Sequence, residues 1–320
     1  MIGRWLRPVL LAVLALPQAA AAQDWPAKQP IKIVVPFSAG SATDITARTV
    51  FEQVGRQIGQ SFVVENRGGA GTTLGSGMVV KAEPDGYTML VNSTSHVVVA
   101  STYAKLPFVV ADDFTAVSAL ANIPFVVTTA IRYKTLKDLI DAGKKPDSRI
   151  LYGTAGAGSS GQLFMERLRL AAGFPATHVP FRGTPEGMTE VIAGRIDLYP
   201  APAVNAITLA KDGKVSALAV SSPRRLPLMP DVPTLTEAGL PDAQYNFWVG
   251  AFFPARTPKP IVERLNREIV AALKVKEVSD KIIALGGDPS PMTPAEFDAF
   301  VRKEIAINAE IVKASGYQPQ

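Results

Sequence analysis

The chain has 320 residues, 47% of them hydrophobic, with 33 Lys and Arg against 28 Asp and Glu. This length allows two domains with substantial cores. The positive charge is mild and scattered, without a dense basic block, which argues against a nucleic-acid partner. The absence of cysteine excludes disulfides, thiolate metal sites and a lipoprotein anchor.

The first 22 residues are typical of a secretory signal peptide. Arg4 and Arg7 precede an apolar run at residues 9–16, and Ala20 and Ala22 occupy the two small-residue positions of a cleavage site. The apolar run is shorter than the about 20 residues that span a bilayer, so an uncleaved membrane anchor is the less favoured alternative. Cleavage after Ala22 predicts export to the periplasm.

Strands and helices alternate along the remainder of the chain. Apolar runs predict strands, and apolar stripes at helical spacing predict helices. This order predicts an α/β protein with mainly parallel sheets flanked by helices. The predicted strands are 31–35, 61–65, 87–92, 114–120, 125–129, 150–152, 178–181, 196–199 and 217–220, and the predicted helices are 43–58, 73–82, 136–143, 162–172, 184–193, 206–212, 259–273 and 294–314.

Two turns rich in Gly and Ser each lead from a strand directly into a helix. The first turn is residues 36–44, with the sequence PFSAGSATD, and the second is residues 153–161, with the sequence GTAGAGSSG. A helix that begins at such a turn directs unpaired N–H groups and its positive dipole end toward the turn, which favours an anion. If the two turns lie on two lobes, they can close on one negatively charged ligand.

In the first turn, the backbone N–H groups around residues 39–41 and nearby hydroxyls are suited to bind a carboxylate. Asp44 would repel an anionic ligand unless a water or a ligand amine lies between them, so a helix-stabilising role is the favoured interpretation of this residue, which stays among the candidates. The candidate binding residues of this turn are Ser38, Ala39, Gly40, Ser41, Thr43 and Asp44.

The second turn contains Gly156, Gly158 and Gly161 in the spacing of a dinucleotide-binding fingerprint. The acidic residue that would bind a ribose is missing, and the next strand is followed by Arg182, so an NADP-dependent oxidoreductase is the alternative hypothesis. A signal peptide argues against it, and tight packing together with close approach of the backbone to a small ligand is the preferred interpretation of the glycines. The candidate binding residues here are Thr154, Ala155, Gly156 and Ser159.

Three further candidates follow the ends of predicted strands, where ligands of α/β proteins bind. Ser93 and His96 follow the strand at 87–92, and Tyr199 ends the strand at 196–199. His96 is suited to donate to a carboxylate, and a surface-loop histidine is the equally weighted alternative. Because only two histidines and no cysteine exist, no metal site is expected. No cofactor and no covalent chemistry are expected either.

Several motifs resemble the substrate-binding proteins of tripartite tricarboxylate transporters, the Bug family. They occur in order along the whole chain after the predicted signal peptide. In this sequence they read WPAKQPIKIVVPF at 25–37, VENRGGAG at 64–71, PDGYT at 84–88, YGTAGAGS at 152–159, HVPFRG at 178–183, LAV at 218–220, MPDVPT at 229–234 and EAG at 237–239.

The resemblance implies a two-lobed, hinged periplasmic-binding-protein (Venus-flytrap) fold. The implied lobe 1 comprises residues 24–123 and 249–320 and lobe 2 residues 124–248, with crossovers near 122–125 and 246–251. It also implies a monomer that binds a small carboxylate, di- or tricarboxylic or aromatic, and delivers it to an inner-membrane permease. The family often has a second glycine where this chain has Ser41, so no particular ligand is carried over. A binding protein that serves sensing rather than uptake is a further alternative.

Overall fold

A computed structural model describes residues 25–320, so the predicted signal peptide at 1–22 lies outside the described residues. The strands form two sheets, one of six strands and one of five. Lobe 1 denotes here the elements around the six-stranded sheet, and lobe 2 those around the five-stranded sheet. None of the helices in residues 25–320 combines the length and the apolar composition needed to cross a membrane.

The first part of lobe 1 builds most of its sheet. The strand β1 is buried except for Lys32, and α1 begins at the N-cap Ser41 and ends at Gly59, which adopts the left-handed conformation that favours glycine. The elements are β1 (Ile31–Val35), α1 (Ala42–Ile58), β2 (Phe62–Asn66), a 3-10 turn (Ala70–Thr72), α2 (Thr73–Val80), β3 (Thr88–Ser93), α3 (Ser95–Thr102) and β4 (Phe114–Asn122).

Lobe 2 follows after a short crossover and contains the second sheet. Its elements are β5 (Phe125–Thr129), α4 (Leu136–Gly143), β6 (Leu151–Thr154), α5 (Ser160–Ala172), β7 (Thr177–Pro180), α6 (Thr184–Ile192), β8 (Leu198–Pro202), α7 (Ala203–Lys211), β9 (Ser216–Val220) and a 3-10 turn (Pro241–Ala243). The chain then returns to lobe 1 with β10 (Trp248–Pro254), α8 (Lys259–Lys274), α9 (Lys276–Ala284), β11 (Asp288–Pro289) and α10 (Pro294–Ser315).

Both sheets are mixed, whereas a mainly parallel arrangement was expected. The strand orders are β11-β4-β10-β3-β1-β2 and β7-β6-β8-β5-β9. The strands β10 and β5, which follow the two crossovers, are antiparallel to their neighbours. The reason is that β5 and β10 each begin at the edge of the sheet that faces the other lobe. The neighbouring strands end at this edge, so β5 and β10 run in the opposite direction. The carboxyl ends of β1, β3, β6 and β8 are therefore directed toward the gap between the lobes.

The crossovers pack tightly through aromatic side chains. Phe125 stacks on Phe164 at 5.2 Å between ring centroids and contacts Phe247 at 4.7 Å. Trp248 is fully buried and meets Phe297 edge-on at 5.6 Å. The lobe limits proposed from the sequence, at residues 123/124 and 248/249, remain a prediction, which the membership of β5 and β10 in different sheets supports.

Candidate site between the lobes

A small cavity lies between the lobes, where both Gly/Ser-rich turns meet. We call it the cleft cavity. Its volume is about 20 Å³, room for about one water molecule, so an organic acid can enter only if the lobes separate or side chains move. None of the residues around it is charged, and they are Phe37, Ser41, Ala42, Thr43, Ser95, Phe125, Ala155, Ser159, Ser160, Gly161, Thr184, Tyr199, Pro200, Pro202 and Phe247.

The first turn presents the N-terminus of α1 to this cavity. The Ser41 hydroxyl caps the helix by accepting a hydrogen bond from the Asp44 N–H at 3.4 Å. The N–H groups of Ala42 and Thr43 have no acceptor among the described residues, and both residues line the cavity. Helix starts leave such groups unpaired, so this end of α1 offers two backbone donors and the positive end of a helix dipole.

Asp44 holds the first turn together. Its carboxylate accepts hydrogen bonds from the Gly40 N–H at 2.9 Å, from Asn66 Nδ2 at 2.9 Å and from Arg48 Nε at 3.0 Å. Burial by itself raises the pKa of Asp44, but these hydrogen bonds and the Arg48 charge outweigh it and hold the pKa below its usual value. Asp44 is therefore ionised and paired near pH 7.

The expected donors of the first turn are corrected by these contacts. The Gly40 N–H already donates to the Asp44 carboxylate. The Ser41 N–H donates to the Ser38 carbonyl at 3.2 Å, and the Ser38 N–H donates across the lobes to the Arg182 carbonyl at 3.4 Å. Ala39 is exposed. The unpaired donors that lie at the cavity thus belong to Ala42 and Thr43, because the Gly40 and Ser41 N–H groups are used within the loop and Ala39 does not line the cavity.

The second turn presents the N-terminus of α5 in the same way. Ser159 caps the helix by accepting from the Gln162 N–H at 3.4 Å. The Ser160 N–H donates to the Ser95 hydroxyl of lobe 1 at 3.0 Å, and the two hydroxyls lie 3.0 Å apart. The N–H of Gly161 has no acceptor among the described residues. A third donor is thereby directed into the cavity from the opposite lobe.

Gly156 and Gly158 provide close packing between the lobes rather than contact with the cavity. Gly156 has a φ of +117°, and a side chain there would meet the backbone of Gly71 in lobe 1 at 3.4 Å. The neighbouring carbonyls of Ala157 and Gly158 accept hydrogen bonds from Tyr103 and Thr102, each at 3.1 Å. The glycines therefore make a contact surface between the lobes, and neither lines the cavity.

Thr154 supports the second turn from below. Its hydroxyl donates to the Gly156 carbonyl at 3.0 Å and lies 2.7 Å from His178 Nε2. Burial lowers the pKa of His178 to about 4, so the imidazole is neutral near pH 7. Thr154 is itself fully buried and does not line the cavity.

Tyr199 lies at the cavity, as the sequence suggests. The side chain is 1% exposed, and its hydroxyl has no hydrogen-bond partner of good geometry among the described residues. Burial raises its pKa, so the phenol is a neutral donor. Two glycines make space for the ring, since a Cβ at Gly187 or Gly153 would lie 2.2 Å or 2.9 Å from ring carbons of Tyr199.

His96 does not line the cavity, contrary to expectation. It belongs to α3 and packs in the core of lobe 1, with ring centroids 4.7 Å from Phe114 and 4.3 Å from Phe252. Burial lowers its pKa to about 3, so the ring is neutral and cannot offer a charge to an anion. Ser93 is also buried and accepts a hydrogen bond from the Ser95 N–H at 3.4 Å.

The predicted residues thus divide into three groups. Ser41, Thr43, Ala155, Ser159 and Tyr199 line the cleft cavity; Ser38, Ala39, Gly40, Asp44, Thr154 and Gly156 belong to the turns around it; Ser93 and His96 lie beneath it. The sequence reasoning missed several lining residues, namely Ala42, Ser95, Ser160, Gly161 and Thr184. Thr184 had a usable signal, because it also begins a helix directly after a strand.

The positive potential at the cavity comes from neutral dipoles rather than from charged side chains. The helices α1, α3, α5 and α6 each place residues of their first turn at the cavity, two from each lobe. Each helix start carries a partial positive charge of roughly half an elementary charge. Phe37, Phe125 and Phe247 supply apolar walls. Within residues 25–320, no group of three acidic, His or Cys side chains is arranged to hold a metal ion.

Two lobes around such a cavity define a periplasmic binding protein. Solved structures similar to this chain have the same fold: MatC from Rhodopseudomonas palustris with bound malate has 31% identity and a TM-score of 0.84, covering 89% of this chain and 99% of MatC. R. palustris Rpa4515 with adipate has 29% identity and a TM-score of 0.89, covering 93% of this chain and 100% of Rpa4515.

The sequence comparisons identify the family. The profile described as "Tripartite tricarboxylate transporter family receptor" matches residues 46–317, and the chain belongs to this family. Protein BugT of Bordetella pertussis is 31% identical over 314 residues, which are 96% of this chain and 95% of BugT. The resemblance to Bug proteins inferred from the motifs is thereby confirmed.

Proposed function

We propose that this chain is a periplasmic solute-binding protein that captures a small di- or tricarboxylate in the cleft between its lobes and delivers it to the membrane permease of a tripartite tricarboxylate transporter. The observation that carries the proposal is the convergence of helix starts from both lobes, with the unpaired N–H groups of Ala42, Thr43 and Gly161 at one cavity. Malate and adipate, named with two similar structures, are both dicarboxylates.

One carboxylate of the ligand would lie between α1 and α5. The N–H groups of Ala42 and Thr43 would donate from lobe 1 and that of Gly161 from lobe 2, with the hydroxyls of Thr43 and Ser160 beside them. Charge-assisted hydrogen bonds of this kind contribute about 1.5–3 kcal/mol each. Because donors from both lobes are needed, binding and closure are the same event.

The remainder of the ligand would lie against the aromatic walls and reach Tyr199 and Thr184. The unpaired Tyr199 hydroxyl favours a hydrogen-bond acceptor at this end, since an unpaired buried polar group costs about 1–3 kcal/mol. A second carboxylate or a hydroxyl group meets this need. The proposal also includes a membrane permease as partner and a monomeric state. It includes the absence of a cofactor and export by the predicted signal peptide.

An NADP-dependent oxidoreductase is less well supported. The turn with the fingerprint spacing packs against Gly71, Thr102 and Tyr103 of lobe 1, where a pyrophosphate would have to lie. Addition of NADP to the purified protein separates the hypotheses, because saturable binding would favour the enzyme. Sensing and uptake require the same binding step and are separated by growth on the ligand with and without the chain.

The direct test places a competing charge in the cavity. Ser160→Asp adds a carboxylate at the first residue of α5, where it stabilises the helix but occupies the anion site. Calorimetric titration of the wild-type chain with malate, succinate and adipate is expected to show one saturable site for at least one of them, and Ser160→Asp is expected to lose at least about two orders of magnitude in affinity.

The matched control is Ser160→Asn, which has the same shape without the charge. It is expected to bind more tightly than Ser160→Asp and to unfold at a similar temperature. Diamides of the same acids are expected not to bind, because they are neutral. Equal affinities of Ser160→Asp and Ser160→Asn would overturn the proposed site.

A further inference from the structure

A second and larger cavity lies against the two crossovers, and we call it the hinge crevice. Its volume is about 740 Å³, within the range of small-molecule sites, and it shares only Phe247 with the cleft cavity. One wall belongs to lobe 1, with the helix α10, and the other to lobe 2, with α5 and the loop at residues 221–228.

The charged residues of the crevice are segregated by wall. Asp288 and Glu304 lie on the lobe 1 wall, whereas Arg167, Arg224 and Arg225 lie on the lobe 2 wall. Arg225 pairs with Glu237 at 2.8 Å. Neither Arg167 nor Glu304 forms an ion pair with any residue in the part of the chain that the structure describes: Arg167 donates to the Asp242 carbonyl, and Glu304 accepts from Trp248 Nε1 at 3.3 Å.

Both groups are partly withdrawn from water. Burial lowers the pKa of Arg167 and raises the pKa of Glu304, so the loss of solvation of each charged form outweighs the attraction that Asp242 exerts on Arg167 and Lys303 on Glu304. Tyr245 lies between them at the floor of the crevice, and its hydroxyl donates to Asn308 at 2.8 Å. A ligand that brings both a cation and an anion would compensate both groups.

The rest of the crevice is apolar. Ile283 is 50% exposed and Ile307 is 37% exposed, and both line it together with Ile311, Leu226 and Leu228. The chemistry of the walls therefore matches one kind of small molecule: a carboxylate for Arg167, an ammonium group for Glu304 and an aliphatic body for the isoleucines and leucines. An α-amino acid with an apolar side chain has these three parts.

We infer that the hinge crevice is a second binding site, separate from the cleft, for a zwitterionic amino acid with an apolar side chain. Its occupancy is coupled to closure, because the walls belong to different lobes. In this conformation the cleft cavity is nearly shut and the crevice is wide. A ligand that occupies the crevice stabilises this conformation, in which the cleft has room for about one water molecule, so the amino acid and the cleft ligand each weaken the binding of the other by the same factor.

The test uses the complete mature chain and L-leucine as the probe. Millimolar leucine is expected to raise the unfolding temperature with saturation, whereas leucinamide, which lacks the carboxylate, and 4-methylpentanoate, which lacks the ammonium group, are expected to give smaller shifts. Arg167→Gln and Glu304→Gln are each expected to weaken leucine binding at least about tenfold. Lys313→Gln, an exposed lysine of α10 that does not line the crevice, is expected to leave it unchanged.

Two arms separate this site from the cleft. Leucine is expected to bind equally to Ser160→Asp and Ser160→Asn, which both replace the serine but differ in the charge at the cleft, so selective loss of leucine binding in Ser160→Asp would assign leucine to the cleft and overturn the inference. Arg167→Lys, which keeps the cation, is expected to retain part of the affinity that Arg167→Gln loses. Absence of saturable leucine binding to the wild-type chain, or equal binding by wild type, Arg167→Gln and Glu304→Gln, would also overturn it.

Discussion

At the scale of the single residue, Asp44 shows how a carboxylate can lie beside an anion site without opposing it. Three donors, from Gly40, Arg48 and Asn66, surround its two oxygens at 2.9–3.0 Å. Its position in the first turn of α1 adds the favourable interaction with the helix dipole. The negative charge is therefore compensated within lobe 1, and the same contacts fix the loop that orients Ala42 and Thr43.

Replacing Asp44 tests this account through the dependence of stability on pH. Because the pKa of Asp44 is lowered in the folded chain, its contribution to stability is present above its unfolded value near 3.8 and is lost as the pH falls toward the folded value. Asp44→Asn is expected to lower the free energy of unfolding at neutral pH by about 1–3 kcal/mol. It is also expected to weaken the acid-induced loss of stability.

Urea denaturation at neutral and acid pH measures both effects. Asp141→Asn is the matched control, because Asp141 is an exposed carboxylate that pairs with Lys137 one helical turn away. Its effect is expected to remain within about 0.5 kcal/mol at either pH. A variant at position 44 that is as stable as the wild type at neutral pH would contradict the role assigned to the carboxylate.

At the scale of the element, the helix start is the functional unit. Ser41 and Ser159 cap α1 and α5 with their own hydroxyls, which satisfies the third N–H of each helix. Of the earlier N–H groups, those of Ala42, Thr43 and Gly161 have no acceptor among the described residues, whereas that of Ser160 donates to Ser95. This arrangement provides positive potential at the cavity without a cationic side chain, so the site stays uncharged when the lobes are apart. A Lys or Arg would bring a flexible chain and its own solvation shell to the same place.

The N-caps can be tested in pairs. Ser159→Ala is expected to cost about 1 kcal/mol of stability, because the Gln162 N–H loses its partner, and also to weaken carboxylate binding, because Ser159 lines the cavity. Thr135→Ala removes the N-cap of α4, which does not line the cavity, and is expected to cost similar stability without changing affinity. Thermal unfolding and calorimetric titration of both variants make the comparison, and equal affinities would contradict the role of Ser159.

The sequence predicts the elements with strong periodicity and misses those fixed by tertiary contacts. The helix at 294–314 is observed at Pro294–Ser315 and the strand at 125–129 at Phe125–Thr129. The strand β10 has seven buried residues and no alternating pattern, and its pairing between β3 and β4 depends on a chain that returns from the other lobe. No local pattern in the sequence contains that information.

For the candidate site too, the sequence predicts the features set by local pattern and not those set by tertiary contacts. The strand–turn–helix pattern predicts that both turns lie at strand ends, because parallel strands end at the same edge of a sheet, and residues of both turns line the cleft cavity. It did not reveal which N–H groups are already paired, since the Gly40 N–H is used by Asp44 and the Ser160 N–H by Ser95 of the other lobe. His96 was misplaced because α3 turns the ring into the core, where Phe114 and Phe252 surround it.

At the scale of the whole molecule, the lobes meet through small side chains and backbone groups. Asn205 Nδ2 of lobe 2 donates to the Gly40 carbonyl of lobe 1 at 2.8 Å, and Ser95 meets Ser160 at 3.0 Å. Nearby, Gly71 lies so close to lobe 2 that a Cβ would stand 2.4 Å from the Ala157 carbonyl oxygen. These contacts join the two lobes, so they stabilise the closed arrangement of the lobes rather than the fold of either lobe.

A side chain at position 71 is therefore expected to hold the lobes apart. Gly71 has a φ of +58°, which asparagine tolerates better than most residues, so Gly71→Asn adds bulk with little backbone strain. Gly59→Asn is the matched control, because Gly59 has a φ of +66° and no atom lies within 4 Å of its Cβ position.

Both variants are expected to unfold at similar temperatures. Only Gly71→Asn is expected to bind a dicarboxylate at least about tenfold more weakly. Small-angle scattering with saturating ligand measures closure as a decrease in the radius of gyration. The control is expected to become as compact as the wild type, and Gly71→Asn is expected to remain larger. If Gly71→Asn reached the same radius, the contact at Ala157 would not limit closure.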